Sequence, residues 1–442
     1  MALSGIQIYK LLPQTNCKEC GFPTCLAFAM KLAAKQVELS LCPYVSEEAQ
    51  AKLSEASMPP VRPIVLKSNG HEVKAGNEVV LFRHEKTFYN HPGLFLRVYD
   101  SEDLNAIKSK VTEADAYKVD YVGIELGMSG IAIQSEGGDM GAAVKAVRES
   151  ASLPLILLGD PAALKAALDV LDPNEKALIG NATSDNWEEM AEIAKQHGAA
   201  LSVRASSVDD MATLSEKIQS TGLKDLVLAP AQKGFQGTLV ANTLLRRMAL
   251  KNFRPFGYPI ISFPGDVGDE STEVMLAAQA IGKYSGFIVL DHFSPEIAYP
   301  LLVLRENIFT DPQKPIQVQP GIYEINDPNQ DSPVLVTTNF SITYFSVANE
   351  VEGSGVPAYL LVTDSEGMSV LTAWAAGKLD SELIAKTVKG SDLPSKVGLK
   401  RIVLPGHVAV LSGELEEELP DWEVRVGPRE AVDITKFLKE AL

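Results

Sequence analysis

The sequence predicts an α/β protein in three parts: a small helical domain, a central (β/α)8 barrel and a C-terminal doubly wound sheet. Three observations support this prediction. All four cysteines lie within the first tenth of the chain. Short apolar segments alternate with sequences of helical pattern through residues 94–314. A second, shorter alternation of apolar and helical segments occupies residues 320–442. Strands that alternate with amphipathic helices are typical of parallel sheets covered by helices.

The composition limits the classes of function. A chain of 442 residues is long enough for two to four domains. Its net charge of −17 argues against nucleic acid or an anionic membrane as a partner, because both would repel it. The N-terminus does not look like a secretory signal, and no apolar run is long enough to span a membrane. We therefore expect a cytoplasmic protein.

The first domain is predicted to cover residues 1–58. Its sequence is helical over residues 6–12, 24–37 and 46–53, and Thr24 is placed to cap the helix that carries Cys25. Residues 59–93 are predicted to form a linker and a short β segment, which includes residues 78–82. The Pro-rich start of this linker, residues 58–63, is a candidate hinge, and residues 311–315 with Pro320 and Gly321 are a second.

The cysteines follow the spacing C-x2-C-x4-C-x16-C at Cys17, Cys20, Cys25 and Cys42. Thiols so close together rarely reach the geometry that disulfides need, whereas four converging thiolates suit an iron–sulfur cluster or a structural zinc ion. A tight group of three with a distant fourth, followed by Pro43, favours a four-iron four-sulfur (4Fe–4S) cluster. A structural zinc ion is the alternative, and cysteines that bind no metal are the third interpretation.

The barrel is predicted to span residues 94–314. Eight strand and helix units in about 215 residues match the usual size of this fold. The predicted strands are Phe95–Tyr99, Tyr121–Leu126, Leu155–Leu158, Ala177–Gly180, Leu201–Val203, Leu226–Leu228, Ile260–Phe263 and Phe287–Leu290.

Polar residues follow these strands at the end where barrel enzymes hold their active sites. They are Glu125, Asp160, Asn181, Arg204, Asp266, Asp291 and His292. They could bind a substrate together. The alternative is that Asp and Asn follow strands only because they cap the next helix.

The C-terminal domain, residues 320–442, contains predicted strands at 334–338, 359–363, 401–404 and 422–426. Helices are predicted between and after them, at 341–347, 371–376, 381–388, 408–411, 414–418 and 431–442. An open sheet of this kind binds its ligand at the carboxyl ends of its strands.

Four loops at those ends are rich in small and hydroxyl residues: 337–341, 367–372, 405–407 and 427–431. Backbone amides and hydroxyls at helix N-termini suit a phosphate or an amide-rich cofactor. The alternative is that Ser and Thr in these loops only cap helices. The loops predict a binding site for a large cofactor with a polar rim.

Two stretches carry a resemblance to a known family. They are residues 16–25, which hold three of the cysteines, and residues 337–345, Thr-Thr-Asn-Phe-Ser-Ile-Thr-Tyr-Phe. Together with the three-part organisation, the chain resembles the large (gamma) subunit of the corrinoid iron–sulfur protein of the reductive acetyl-CoA pathway, in the acetyl-CoA decarbonylase/synthase complex. The resemblance implies a TIM barrel at the centre and a flavodoxin-like, corrinoid-binding C-terminal domain.

The resemblance also implies a function. The family carries a methyl group from methyltetrahydrofolate, through a separate methyltransferase, on a base-off cobamide to acetyl-CoA synthase. A 4Fe–4S cluster reactivates Co(II) to Co(I), and a small barrel-shaped subunit completes a heterodimer, in an anaerobic setting. No residue of this chain is then catalytic. The alternative from another class is an iron–sulfur barrel enzyme acting on a pterin or another small molecule, and a third is a cofactor-free assembly protein with structural zinc.

The cluster ligands would be the four cysteines, and the cobamide contacts would come from the four C-terminal loops and the helix after the first. The predicted cobamide contacts are Thr338, Asn339, Phe340, Thr343, Ser346, Met368, Ser369, Val370, Leu371, Thr372, Gly406, Gly427, Arg429 and Ala431. No D-x-H-x-x-G motif occurs in the chain, and we expect that His407 does not bind cobalt.

Overall fold

The computed structural model describes residues 4–33, 36–46, 49–50, 53, 58–122, 124–311 and 316–441. The chain divides into two compact units. Unit 1 comprises Met1–Lys118 and Gly127–Phe309, and unit 2 comprises Val119–Leu126 and Thr310–Leu442. None of the described helices is both long enough and apolar enough to cross a membrane.

Unit 1 begins with two helices, α1 Gly5–Leu11 and α2 Cys25–Ala33, and a 3-10 turn at Leu39–Leu41. The Thr24 hydroxyl accepts the Ala27 N–H at 3.1 Å, so the predicted cap of the cysteine-bearing helix is confirmed. The predicted third helix, 46–53, lies partly outside the described residues.

A β-hairpin follows, with β1 Ile64–Ser68 paired antiparallel to β2 His71–Ala75. Its inward side chains pack with barrel residues such as Phe95 and Phe287 in one buried cluster. The hairpin therefore closes one end of the barrel. The β segment that we placed at residues 78–82 contains no strand, because the pairing lies earlier in the chain.

The candidate hinge at residues 58–63 lies against the barrel in this structure. Val61 is 4% exposed, and the Arg62 N–H donates to the carbonyl of Gly257 at 2.9 Å. Arg254 also donates to the carbonyl of Pro59. These contacts attach the segment to unit 1. Most of the second candidate hinge, residues 312–315, lies outside the described residues.

The next strands form the barrel and a small separate sheet. They are β3 Gly93–Tyr99, β4 Lys118–Tyr121, β5 Ile124–Gly127, β6 Gly130–Gln134, β7 Leu155–Leu158, β8 Leu178–Ala182, β9 Ala200–Ala205, β10 Leu226–Pro230, β11 Ile260–Ser262 and β12 Ser285–Leu290. The strands β3 and β6 to β12 close a parallel barrel, in which β12 pairs back to β3. The predicted (β/α)8 barrel is confirmed.

The prediction that Tyr121–Leu126 forms the second barrel strand was wrong. The strand β6 lies between β3 and β7 in the barrel instead. The strands β4 and β5 instead pair with each other in a separate two-stranded sheet. The residues of β4 alternate between exposed and partly buried, and β5 has a single buried residue, Leu126, whereas four successive residues of β6 are buried. A barrel strand is covered on both faces, so only the uninterrupted apolar run fits.

The barrel helices are α3 Leu104–Ala116, α4 Met140–Ser150, α5 Pro161–Leu168, α6 Trp187–Gln196, α7 Val208–Ser220, α8 Gly234–Leu250, α9 Glu270–Gly282 and α10 Pro295–Phe309, with 3-10 turns at Arg254–Phe256 and Pro264–Val267. Several begin behind an Asp or Ser side chain that accepts a backbone N–H of the first turn. These caps are Asp103, Asp139, Asp160, Ser207 and Asp269.

Unit 2 contains a five-stranded sheet in the order β13-β15-β14-β16-β17. Its strands are β13 Gly321–Ile325, β14 Val334–Thr338, β15 Ala358–Thr363, β16 Arg401–Leu404 and β17 Glu423–Val426. The strands β14 to β17 are parallel, and β13, which we did not predict, pairs antiparallel at one edge.

Helices cover both faces of this sheet. They are α11 Ser341–Ser354, α12 Val370–Ala375, α13 Ser381–Gly390, α14 Leu393–Lys396, α15 Ser412–Glu418 and α16 Ile434–Glu440, with 3-10 turns at Gly406–Leu411 and Ala431–Asp433. Val334 and Val336 belong to one buried cluster, and Leu335 between them belongs to a second. Successive residues of a strand point to opposite faces, so each face has its own core.

Candidate cofactor sites

The four cysteines all lie in the N-terminal helical segment and are free thiols. Cys25 and Cys42 are buried in one apolar cluster with Phe28, Cys20 packs against that cluster, and Cys17 is exposed. Three of the four cysteines therefore share one small core, although Cys20 and Cys42 are 22 residues apart in the sequence.

The loop that carries the first cysteines has an unusual backbone. Asn16, Lys18 and Gly21 have φ values of 51°, 69° and 81°, in the left-handed region. The Asn16 side chain accepts the Cys25 N–H at 2.8 Å, and the Asn16 N–H points at the Cys25 sulfur at 3.4 Å. An amide directed at a thiolate sulfur is a contact that tunes iron–sulfur centres.

Tyr44 lies beside these thiols. Its hydroxyl donates to the Glu19 carboxylate at 2.7 Å, and this hydrogen bond raises the pKa of Tyr44. Negative charge on Cys17 and Cys42 raises the pKa of Tyr44 in the same direction.

The donor set fits an iron–sulfur cluster in kind: four free thiols in one small domain and a backbone amide directed at sulfur. The side chains are not gathered in a liganding arrangement. In the part of the chain that the structure describes, no three His, Cys, Asp or Glu side chains converge closely enough to hold a metal ion.

A cleft opens in unit 2 at the carboxyl ends of β14 and β16. Its volume is about 330 Å³, at the lower end of the range for sites that hold small molecules. Its floor is apolar and comes from the strands and from two flanking helices. These floor residues are Leu335, Val336, Val347, Val403, Leu404 and Ile434.

Several predicted cobamide contacts line this cleft. They are Thr343, Ser346, Ser369, Val370, Leu371, Gly427, Arg429 and Ala431. They come from α11, from the start of α12 and from the loop after β17. The structure thus brings three separate parts of the predicted site to one cavity.

The other predicted contacts lie outside the lining: Thr338, Asn339, Phe340, Met368, Thr372 and Gly406. Asn339 is 1% exposed, and its side-chain oxygen accepts the N–H groups of Ser365 at 2.9 Å and Gly367 at 3.0 Å. It therefore shapes the loop after β15. A Cβ on Gly406 would lie 2.5 Å from the carbonyl oxygen of Gly427, so this position requires glycine for close packing of two loops.

The hydroxyl-rich loops do not cap their helices with side chains. The helix α11 begins behind Phe340, and α12 behind Ser369, and neither residue makes a side-chain cap hydrogen bond. This differs from the capped helices of the barrel. The capping interpretation of these two loops was wrong, and no side chain among the described residues accepts the first N–H groups of α11.

Thr337 lines the cleft but was not among the predicted contacts. Its side chain is fully buried, and its hydroxyl has no hydrogen-bond partner among the described residues. A buried hydroxyl without a partner costs free energy unless a ligand supplies one. The hydroxyl of the neighbouring Thr338 is also buried and unpaired, but Thr338 does not line the cleft.

His407 lines the cleft as well, with its side chain about one third exposed. Its Nε2 atom is 3.9 Å from a carboxylate oxygen of Glu430, another lining residue. The loops at 405–407 and 427–431 were predicted to approach the ligand, but these two side chains were not among the predicted contacts.

At the mouth of the barrel, most of the predicted polar residues already have partners. Arg97, 6% exposed on the side chain, donates to both Asp291 oxygens at 2.6 and 2.9 Å and to Asp266 at 2.8 Å. Burial alone would lower the pKa of Arg97, but the hydrogen bonds to Asp291 outweigh it and raise the pKa. Burial and a 2.8 Å hydrogen bond to Asp291 raise the pKa of Tyr99 to about 12.

The remaining candidates at the mouth have structural partners or lie elsewhere. Asp160 caps α5, Asn181 accepts the Ser202 hydroxyl at 2.7 Å, and Glu125 belongs to β5 outside the barrel. The expectation that Glu125 follows a barrel strand was therefore wrong. The capping alternative is correct for Asp160.

His292 is held by Glu273, which is 1% exposed on α9. The Glu273 carboxylate contacts His292 Nδ1 and also accepts the backbone N–H of Asp291 at 2.6 Å. The hydrogen bond to Glu273 raises the pKa of His292. Glu273 thereby fixes the end of β12 to α9.

Comparison with known proteins identifies the family. A family model described as "CO dehydrogenase/acetyl-CoA synthase delta subunit" matches residues 63–438, and one described as "Putative Fe-S cluster" matches residues 12–44. The chain is 42% identical to the corrinoid/iron-sulfur protein large subunit of Moorella thermoacetica, over the whole of both chains.

The chain is also similar to archaeal proteins. It is 34% identical to the acetyl-CoA decarbonylase/synthase complex subunit gamma of Methanopyrus kandleri, over 99% of this chain and 98% of that one. The corresponding subunit of Archaeoglobus fulgidus is 32% identical over the same shares. The protein therefore belongs to the family of corrinoid/iron–sulfur protein large subunits and acetyl-CoA decarbonylase/synthase gamma subunits.

Proposed function

We propose that this protein is a methyl carrier. It would accept a methyl group that a separate methyltransferase takes from methyltetrahydrofolate, and deliver it to acetyl-CoA synthase. A bound cobamide would supply the cobalt ion that takes up and releases the methyl group. A 4Fe–4S cluster would supply the electron that restores Co(I) from Co(II). The chain itself is a carrier, and none of its residues needs to act as a general acid or base.

The observation that carries this proposal is the cleft of unit 2. Its apolar floor suits a large macrocycle, and its rim offers N–H groups at the start of α11 that no side chain caps. The buried Thr337 hydroxyl adds a polar group that has no partner in the part of the chain that the structure describes. A ligand that combines an apolar body with amide and phosphate acceptors, as a cobamide does, matches both features.

The four cysteines would hold the cluster. Cys25 and Cys42 provide buried thiols, and the Asn16 N–H directed at Cys25 would stabilise sulfur-borne negative charge. Cys17 is exposed, so the cluster would lie close to the surface. A position near the surface permits electron exchange with other groups.

We further propose a small, barrel-shaped subunit as the heterodimer partner, and a cytoplasmic complex with the methyltransferase and acetyl-CoA synthase. The names of the relatives, a large subunit and a gamma subunit of a complex, support the existence of partner chains. The alternative, a barrel enzyme acting on a pterin, has less support, because Asp266 and Asp291 at the mouth are engaged by Arg97.

The test is anaerobic purification followed by metal analysis and an ultraviolet–visible spectrum. We expect about one cobalt and about four iron per chain, with corrinoid bands above a broad iron–sulfur shoulder. Iron without cobalt, even after incubation with a cobamide and the partner subunit, would contradict the carrier function. Zinc in place of iron would contradict the cluster assignment alone.

A further inference from the structure

A cavity separate from the cleft of unit 2 lies at the mouth of the barrel, between the ends of β9, β10 and β11. Its volume is about 50 Å³, which is room for roughly three or four water molecules. Side chains of both polar and apolar residues line it, among them Arg204, Lys233, Thr238, Ser262 and Phe263. We call it the mouth cavity.

The Arg204 side chain is largely buried, at 27% exposed, but it makes few polar contacts with the described residues. Its guanidinium stacks over the Phe263 ring, 5.4 Å from the centroid. Its nearest carboxylate is Asp266, at 3.8 Å, which is beyond hydrogen-bond distance. The other oxygen of Asp266 already accepts a hydrogen bond from Arg97 at 2.8 Å. The five N–H groups of Arg204 therefore lack a hydrogen-bonded acceptor among the described residues.

Lys233 adds a second positive charge at the rim of the same cavity. It lies between the end of β10 and the start of α8, and no described carboxylate is within 4 Å of its amine. Asp266 is the acidic residue of the described lining, against the two cations Arg204 and Lys233; it also accepts a hydrogen bond from Arg97, which is itself paired with Asp291. The charge balance of the mouth cavity is thus positive, in a chain whose net charge is −17.

We propose that the mouth cavity binds the anionic group of a small ligand, a phosphate or a carboxylate. The planar guanidinium of Arg204 would donate two parallel hydrogen bonds, and Lys233 would add a point charge. The small volume limits the enclosed part to one such group, and the rest of the ligand would extend towards solvent.

The test is isothermal titration of the complete, cofactor-loaded protein with inorganic phosphate and, separately, with acetate. Chloride is used to keep the ionic strength equal throughout. The variants are Arg204→Gln and Lys233→Gln. The control is Lys251→Gln, which removes the same charge at the other end of α8, away from the cavity.

We expect saturable binding of at least one anion by the wild type and by the Lys251 variant. The Arg204 variant should bind at least tenfold more weakly, since it loses charge-assisted hydrogen bonds, and the Lys233 variant should be weakened as well. The stronger of the two anions identifies the ligand as a phosphate or a carboxylate.

Two outcomes would overturn the proposal: no saturable heat with either anion, or equal affinity in wild type and both cavity variants. If the Arg204 variant does not fold, the Lys233 variant measured against the Lys251 control decides. The titration measures anion binding at the barrel mouth and not methyl transfer, so failure of the proposed carrier function would not change its result.

Discussion

The buried hydroxyls of Thr337 and Thr338 permit a matched test of the cobamide cleft. Both side chains are fully buried and both hydroxyls lack a partner among the described residues, but Thr337 alone of the two lines the cleft. Replacing either by Val keeps the shape and removes an unpaired polar group. In the cofactor-free protein, each change should therefore stabilise unit 2 by about 1–3 kcal/mol.

The two variants should differ once the cofactor binds. If the Thr337 hydroxyl bonds the cobamide, Thr337→Val loses a hydrogen bond worth about 0.5–1.5 kcal/mol, which weakens binding roughly two- to tenfold. Thr338→Val should bind as the wild type does. Urea denaturation of the cofactor-free protein measures the first effect, and equilibrium dialysis against cobalamin measures the second.

The reasoning would be refuted if the two variants had the same cobalamin affinity. It would also fail if Thr337→Val destabilised the cofactor-free protein while Thr338→Val did not, since the Thr337 hydroxyl would then have a structural partner. Both variants make the same chemical change at neighbouring, fully buried positions of one strand.

Three further predictions follow from the sites. Cys42→Ala should remove the iron–sulfur absorption while chemically pre-reduced protein still transfers methyl groups; loss of both activities would mean that the cluster does more than reactivate cobalt. The hydrogen bond to Glu273 raises the pKa of His292 in the folded protein above its value of about 6.5 in the unfolded chain. The pair therefore contributes fully to the free energy of unfolding below pH about 6.5, and this contribution is lost as the pH rises through the pKa of His292 in the folded protein. Urea midpoints between pH 6 and 9 should therefore fall with pH in the wild type and less in His292→Gln; parallel profiles would refute this. His407→Gln should leave the electron paramagnetic resonance of the Co(II) form unchanged, and nitrogen splitting from imidazole in the wild type would show instead that His407 binds cobalt.

The barrel could be predicted because its strands are buried on both faces. Leu155–Leu158 and Leu226–Leu228 are uninterrupted apolar runs, and every residue in them is buried. The second strand was missed because it begins with Gly130, which reads as a strand breaker. In the fold, a Cβ at Gly130 would lie 2.1 Å from the Phe95 ring, so tertiary packing demands the glycine.

The cleft could be predicted as a set of loops but not side chain by side chain. Adjacent residues in a strand point to opposite faces, so the pair Thr337 and Thr338 could not be assigned without the three-dimensional arrangement. The same holds for Asn339. Its amide side chain suited a ligand contact, but its side-chain oxygen accepts hydrogen bonds from the N–H groups of Ser365 and Gly367. Sequence shows which groups are available, and packing decides what they face.

Unit 2 is discontinuous: Val119–Leu126 belongs with Thr310–Leu442. Two pieces of chain separated by roughly 180 residues must meet before this unit is complete, and such non-local contacts slow folding. During synthesis, the earlier piece leaves the ribosome long before its counterpart exists. A C-terminal fragment that starts near residue 320 would lack that earlier piece. Its behaviour would therefore understate the stability of the unit in the whole protein.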